Sequence, residues 1–233
     1  MRLNLLLLVL LPALSGAVEA LEKTWGDPSA SGYGYLLYMP VHAAKPGAKL
    51  PLVVFLHGAG ERGSDVKALH KNNLPKRLDA MSDLPYVVVA PQCPAGQRWS
   101  DVKRLNAFLD HLLKGLPVDP DRVTLTGLSL GGMGTWTWGA ANPERFAALA
   151  PVCGLADKEA LKSLKGMPVW AFHGDKDKAV PFAAGKAAAD AARAAGADVK
   201  FTTYPGVGHD SWVKAYAEPD FDSWVLSHRR AAR

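Results

Sequence analysis

A serine hydroxyl attacks a carbonyl carbon only when a base takes its proton, a third group orients that base, and N–H donors receive the charge that develops on the carbonyl oxygen. Gly127-Leu128-Ser129-Leu130-Gly131 has the G-x-S-x-G spacing that raises a serine on a sharp turn between a strand and a helix. Glycine suits positions 127 and 131 because side chains there would collide with neighbouring backbone. The competing reading, an ordinary glycine-rich turn, leaves the partner loops described next without a purpose.

The base must come from one of seven histidines. His209 lies in Gly206-Val207-Gly208-His209-Asp210-Ser211-Trp212, just past the last strand-like stretch, where a flexible loop can arch back over Ser129. His57 and His173 each precede a glycine at a strand end, a position suited to bracing a loop. His42, His70, His111 and His228 fall on surface or linker stretches. The acid is expected at a strand end between the serine and the histidine, and His173-Gly174-Asp175-Lys176-Asp177 occupies that place. On residue type and position alone, Asp175 and Asp177 both remain open, the other carboxylate serving as a solvated or turn-bracing group.

The oxyanion donors follow from the same layout. Leu130, next after the serine, supplies one backbone N–H, and the loop Leu56-His57-Gly58-Ala59-Gly60-Glu61-Arg62-Gly63 supplies the second, through Ala59. Gly58, Gly60 and Gly63 also match the dinucleotide spacing G-x-G-x-x-G, but the oxyanion loop accounts for them, and no G-x-x-x-x-G-K-[ST] is present. Neither a metal ion nor an organic cofactor is needed by this chemistry.

The elements that must position these loops alternate. Residues 33–39, 52–56, 86–90, 122–126, 146–152, 169–172 and 199–204 read as strands, several of them continuous apolar runs of the buried parallel kind. Residues 102–113 carry apolar side chains at helical spacing behind the N-cap candidates Ser100 and Asp101, and the alanine-rich stretch 182–195 stops at Gly196. Such alternation predicts a mostly parallel sheet covered by helices on both faces, with ligands bound beyond the carboxyl ends of the strands.

At 233 residues and 48% hydrophobic composition the chain can bury one sizeable core, and no repeat or composition break marks a second domain. Met1-Arg2, an apolar run over residues 5–14 and the small residues before Ala20 have the layout of a secretory signal peptide. The expectation is therefore a leader over 1–20, a catalytic domain over 21–233, and an exported product, periplasmic or secreted, with no stable membrane insertion. The formal charge is +5 before and after cleavage, since Arg2 and Glu19 leave together. The cations are scattered, which argues against nucleic acid as a partner.

Taken together, the stretches Phe55 to Gly63, Ala90-Pro91-Gln92-Cys93-Pro94 with Trp99, Gly127 to Gly132, Pro151-Val152-Cys153-Gly154, His173 to Asp177 and Gly208-His209 resemble the α/β-hydrolase superfamily. Within it, the likeness is to compact bacterial esterases related to feruloyl and acetylxylan esterases, a group also labelled predicted peptidases or phospholipase/carboxylesterase-like proteins. The resemblance covers nearly the whole chain after residue 20. It implies an α/β-hydrolase fold without a large lid domain, a triad of Ser129, Asp177 and His209, and cleavage of a small or polymer-linked carboxylic ester through an acyl-enzyme. A serine peptidase, a thioesterase or lysophospholipase, and a non-catalytic binding protein on the same scaffold are the alternatives. Trp99, Met133 and Trp212 lie beside the catalytic loops, as walls of an acyl or aromatic pocket or as core packing. The resemblance also places Cys93 and Cys153 after strands separated by two others, about 14 Å apart at about 4.8 Å per strand, which implies free, buried thiols.

Overall fold

A computed structural model of the chain describes residues 19–23, 32–40, 47, 49–71, 73–81 and 84–230. Among the described residues, eight strands form one sheet in the order β1-β2-β4-β3-β5-β6-β7-β8. These are β1 (Glu19–Lys23), β2 (Tyr35–Met39), β3 (Leu50–Leu56), β4 (Val87–Pro91), β5 (Val118–Leu128), β6 (Ala148–Val152), β7 (Pro168–Gly174) and β8 (Asp198–Tyr204). β2 runs antiparallel to both its neighbours, and every pairing from β4 to β8 is parallel.

The inner parallel strands β3, β4, β6 and β7 are buried on both sides because both faces are covered. In β3, Leu52, Val54 and Leu56 point into one core and Val53 and Phe55 into the other, as the twofold alternation of a strand requires. The first core receives α2 (Val102–Gly115), α3 (Leu130–Ala141) and α4 (Phe182–Ala194). The second receives α1 (Asn73–Asp79), the short α5 (Trp212–Ala215) and α6 (Phe221–Ser227). α2 starts where Asp101 accepts the Arg104 N–H at 3.0 Å, and it buries Leu105, Phe108, Leu109 and Leu112, one helical stripe.

Two differences from the sequence expectation have local causes. β5 begins four residues early, before Pro120, because Val118 pairs with Leu50 across a register shift that lets the strand carry a proline. At the amino end, residues 1–18 of the expected leader lie outside the described residues. Glu19–Lys23 pairs with β2, so cleavage after Ala20 would leave Leu21-Glu22-Lys23 of that strand. The β6–β7 connection, residues 153–167, holds one 3-10 turn, Ala160–Leu164, and no inserted lid. Among the described residues no helix is long and apolar enough to cross a membrane.

Candidate active site

The adjacent parallel strands β5, β6, β7 and β8 end side by side, and the loops leaving them meet. Ser129 sits between β5 and α3 at φ 52° and ψ −114°, a left-handed conformation that costs a non-glycine residue on the order of 1–3 kcal/mol. The surroundings enforce it: Ser129 N–H donates to Val152 O at 2.9 Å and its carbonyl accepts from Met133 N–H at 2.9 Å. A Cβ on Gly131 would lie 1.8 Å from Leu56 O, and one on Gly127 would lie 2.6 Å from both Leu56 O and Gly131 O. The turn closes so tightly on β3 that only glycine fits.

The Ser129 hydroxyl lies 2.8 Å from His209 Nε2, and His209 Nδ1 lies 2.8 Å from Asp177 Oδ2. An ionised carboxylate only accepts, so Nδ1 carries the ring proton and Nε2 is free to accept the hydroxyl hydrogen. Asp177 is buried, and its other oxygen, Oδ1, accepts the Ala179 and Val180 N–H groups at 2.9 Å each. The carboxylate is thus held by its own loop on one oxygen and offered to His209 on the other. His173 adds a second brace. Its Nε2 donates to Val180 O at 2.9 Å and approaches Asp177 Oδ2 at 3.3 Å, while its ring packs on α4 at Gly185, where a Cβ would lie 2.1 Å from Nδ1.

Asp175 has a different task. Its Oδ1 accepts the Gly206 N–H at 2.7 Å, and Lys176 N–H donates to Val207 O at 2.9 Å, so the acid loop and the histidine loop are tied together. Gly174 permits the approach, since a Cβ there would meet Val207 O and Gly208 O at 2.4 Å. Neither of these bonds reaches His209.

Ala59 opens a 3-10 turn (Ala59–Glu61) and Leu130 is the first residue of α3, so neither N–H has an acceptor within its own helix. The loop carrying Ala59 is pinned from β4 and the segment after it. Cys93 N–H donates to His57 Nε2 at 2.8 Å, which leaves the proton on Nδ1 to donate to Gly58 O at 2.6 Å. Burial holds the His57 pKa below its ordinary value, consistent with a neutral ring. Gln92 Nε2 donates to Glu61 O and Asp65 O at 2.9 Å each, and Gly63 N–H donates to Cys93 O at 2.9 Å.

The three aromatic and sulfur side chains expected beside the site divide. Trp99 is 2% exposed, its Nε1 donates to His57 O at 3.0 Å, and α3 packs against it at Gly134, where a Cβ would lie 2.5 Å from Trp99 Cβ. That environment makes it a brace of the oxyanion loop, the core-packing alternative of the two the sequence left open. Met133, in the first turn of α3, and Trp212, whose ring meets His209 edge-on at 5.3 Å, are half-buried. Leu155 and Val213, which sequence reading did not single out, are the exposed large apolar side chains among the described residues; Val213 follows the histidine loop and Leu155 follows Cys153-Gly154 after β6. Sequence reading also missed the nearness of Cys153. This free, fully buried thiol sits at φ 40° within 4.8 Å of ligand atoms of Asp177 and His209, and burial pushes its pKa up to about 12. Cys93 is free and buried as well.

The sequence model of the dienelactone hydrolase family matches residues 94–223, more than half of the chain. Acyl-protein thioesterase 1 from Gibberella zeae is 26% identical, with 68% of this chain and 83% of that protein covered. Among solved structures, a thermostable esterase gives a TM-score of 0.78 at 30% identity, covering 91% of this chain and 63% of its own, so the chain spans less than two thirds of that protein's length. A feruloyl esterase module from Clostridium thermocellum gives a TM-score of 0.70 at 16% identity, over 95% of this chain and 93% of that one, a likeness of fold.

Proposed function

The chain belongs to the dienelactone hydrolase family and is a carboxylic ester hydrolase on the α/β-hydrolase fold, and from that premise we propose that it cleaves acyl esters through an acyl-enzyme on Ser129. One observation carries the reading: the unbroken chain from Ser129 Oγ through His209 to the doubly anchored Asp177, with 2.8 Å at both links. As Ser129 attacks the ester carbonyl, its proton passes to His209 Nε2, and Asp177 stabilises the imidazolium that results. The Ala59 and Leu130 N–H groups receive the negative oxygen of the tetrahedral intermediate. His209 then protonates the leaving alkoxide, and the alcohol departs. A water molecule repeats the sequence against the acyl-enzyme: it gives its proton to His209, adds to the carbonyl, and the acid leaves as Ser129 recovers its hydrogen.

The short β6–β7 connection supports an open site, suited to soluble esters and to acyl groups projecting from a polymer. We infer feruloyl or acetyl esters of carbohydrate as the substrate class, with Met133 and Trp212 walling the acyl side, and action after export. A second reading, thioester hydrolysis, is favoured by the acyl-protein thioesterase relative and uses the same atoms. A substrate panel separates them: p-nitrophenyl esters of increasing chain length, feruloyl and acetylated-sugar esters, an acyl thioester and a peptide amide. The carbohydrate-ester reading predicts the highest kcat/KM on the feruloyl or acetyl-sugar members. Preference for the thioester or for long-chain acyl groups would replace it.

A further inference from the structure

Beside the acid–histidine pair, the structure brings together three groups of metal-ligating chemistry that the proposed reaction does not use as a set. Cys153 Sγ, a carboxylate oxygen of Asp177 and a ring nitrogen of His209 all lie within 4.8 Å of one another. Tetrahedral zinc, with bonds of about 2.0–2.3 Å, needs ligand separations of about 3.3–3.8 Å, so a separation at the 4.8 Å limit must close by about an ångström while the 2.8 Å contact of His209 Nδ1 with Asp177 Oδ2 opens by about half an ångström. One further feature favours a cation there. The Ser211 hydroxyl adjoins the thiol, is fully buried, and has no hydrogen-bond partner of acceptable geometry, an oxygen placed to serve as a fourth ligand.

We propose that Cys153, Asp177 and His209 form a binding site for a thiophilic divalent cation, zinc above all, and that its occupation switches the hydrolase off. The chemistry balances without any oxidant or reductant. The cation bonds to Cys153 sulfur and displaces the thiol proton to solvent, as a coordinating thiol requires. It bonds to His209 Nδ1 in place of the hydrogen that Asp177 accepted, and that hydrogen moves to Nε2. A neutral imidazole ligated through Nδ1 keeps its proton on Nε2, which can no longer take the Ser129 hydrogen. The metal thus acts by reversing the tautomer on which the base depends. His209, about a quarter exposed on its loop, is the ligand through which the cation enters.

The switching effect rests on the acyl-enzyme reading, whereas the binding does not, and the experiment keeps the two apart. Zinc affinity is measured by competition with a chromophoric chelator on the wild-type chain, Ser129→Ala and Cys153→Ser, and ester hydrolysis is followed at buffered free zinc for the wild type and Cys153→Ser. One zinc per chain is expected for the wild type and Ser129→Ala alike, with affinity lower by about 100-fold or more in Cys153→Ser. Inhibition, taken relative to each protein's own metal-free rate, should weaken in parallel. Cobalt binding to the wild-type protein should produce thiolate-to-cobalt charge-transfer absorption, which keeps the proposal testable if Cys153→Ser does not fold. Equal zinc affinity in Cys153→Ser, or cobalt binding without that absorption, would overturn the site. Cys153-dependent binding that leaves hydrolysis untouched would uphold the site and remove His209 from its role as base.

Discussion

The nucleophile elbow and the acid–histidine pair are built by different physics, although they meet over a single hydrogen bond. Around Ser129 the backbone itself is the constraint: Gly131 and Leu56 O stand so close that no side chain fits, and the strained Ser129 has no other place to go. Around Asp177 the constraint is a set of directional bonds, two N–H groups on Oδ1, His209 on Oδ2, and the Asp175–Gly206 tie that keeps the loops in register. Steric walls fail all at once, while hydrogen-bonded loops can lose one member and keep the rest. Substitutions in the two regions should therefore differ in kind.

The largest expected effect within this comparison is on the acid side. In Asp177→Asn, the amide oxygen can keep the Ala179 and Val180 N–H groups, which turns the amide –NH2 toward His209 Nδ1. His209 must then accept on Nδ1 and carry its proton on Nε2, and kcat should fall by up to about 10,000-fold in a folded protein. Asp175→Asn keeps an oxygen for the Gly206 N–H and should lose less than about tenfold. Steady-state kinetics at saturating substrate rank the two; the reverse order would reassign the acid.

On the nucleophile side, Gly131→Ala should displace β3 or α3 and with it the Leu130 N–H, lowering kcat by on the order of 100-fold or more and lowering Tm. Gly60→Ala, in the other oxyanion-side loop, meets nothing within 4 Å and should be nearly silent. Equal behaviour of the two variants in kinetics and thermal melts would break the steric half of the comparison.

The smallest effect expected is a change in acid stability. Because burial lowers the His57 pKa below 6.5, the folded chain binds fewer protons than the unfolded chain in acid. The stability supplied by neutral His57 is fully present above pH 6.5 and is lost as pH falls from there through the folded-state value. Protonation would also set two donors, the Cys93 N–H and a charged Nε2–H, against each other. Thermal melts of His57→Gln should show a shallower fall of Tm with acidification than the wild type, from a lower starting Tm. An unchanged slope would remove His57 from that role.

The contrast also explains what could be read from the sequence. Steric requirements leave glycines at fixed offsets, so the elbow at Gly127 and Gly131 was legible, as were β3 and α2, whose apolar periods are complete within the element. Directional bonds leave no such mark. Residue type alone could not separate Asp175 from Asp177, because the difference lies in which loop N–H groups each oxygen meets. Trp99 stayed open between pocket wall and core packing because the helix that covers it, through Gly134, comes from 35 residues further along the chain. The short helices α1 and α6 went unread since their stability comes from packing Leu74, Leu78, Phe221 and Val225 on the sheet, with too few turns to show a period.

Reaction with a fluorophosphonate, located by peptide mass spectrometry, tests the central claim most directly, because it reports the activated nucleophile itself and requires no knowledge of the substrate. Ser129 activated by His209 predicts one adduct per chain, on Ser129, absent in Ser129→Ala and formed on the order of 1,000-fold or more slowly in His209→Ala. An adduct on another residue, or labelling of folded His209→Ala at the wild-type rate, would contradict it.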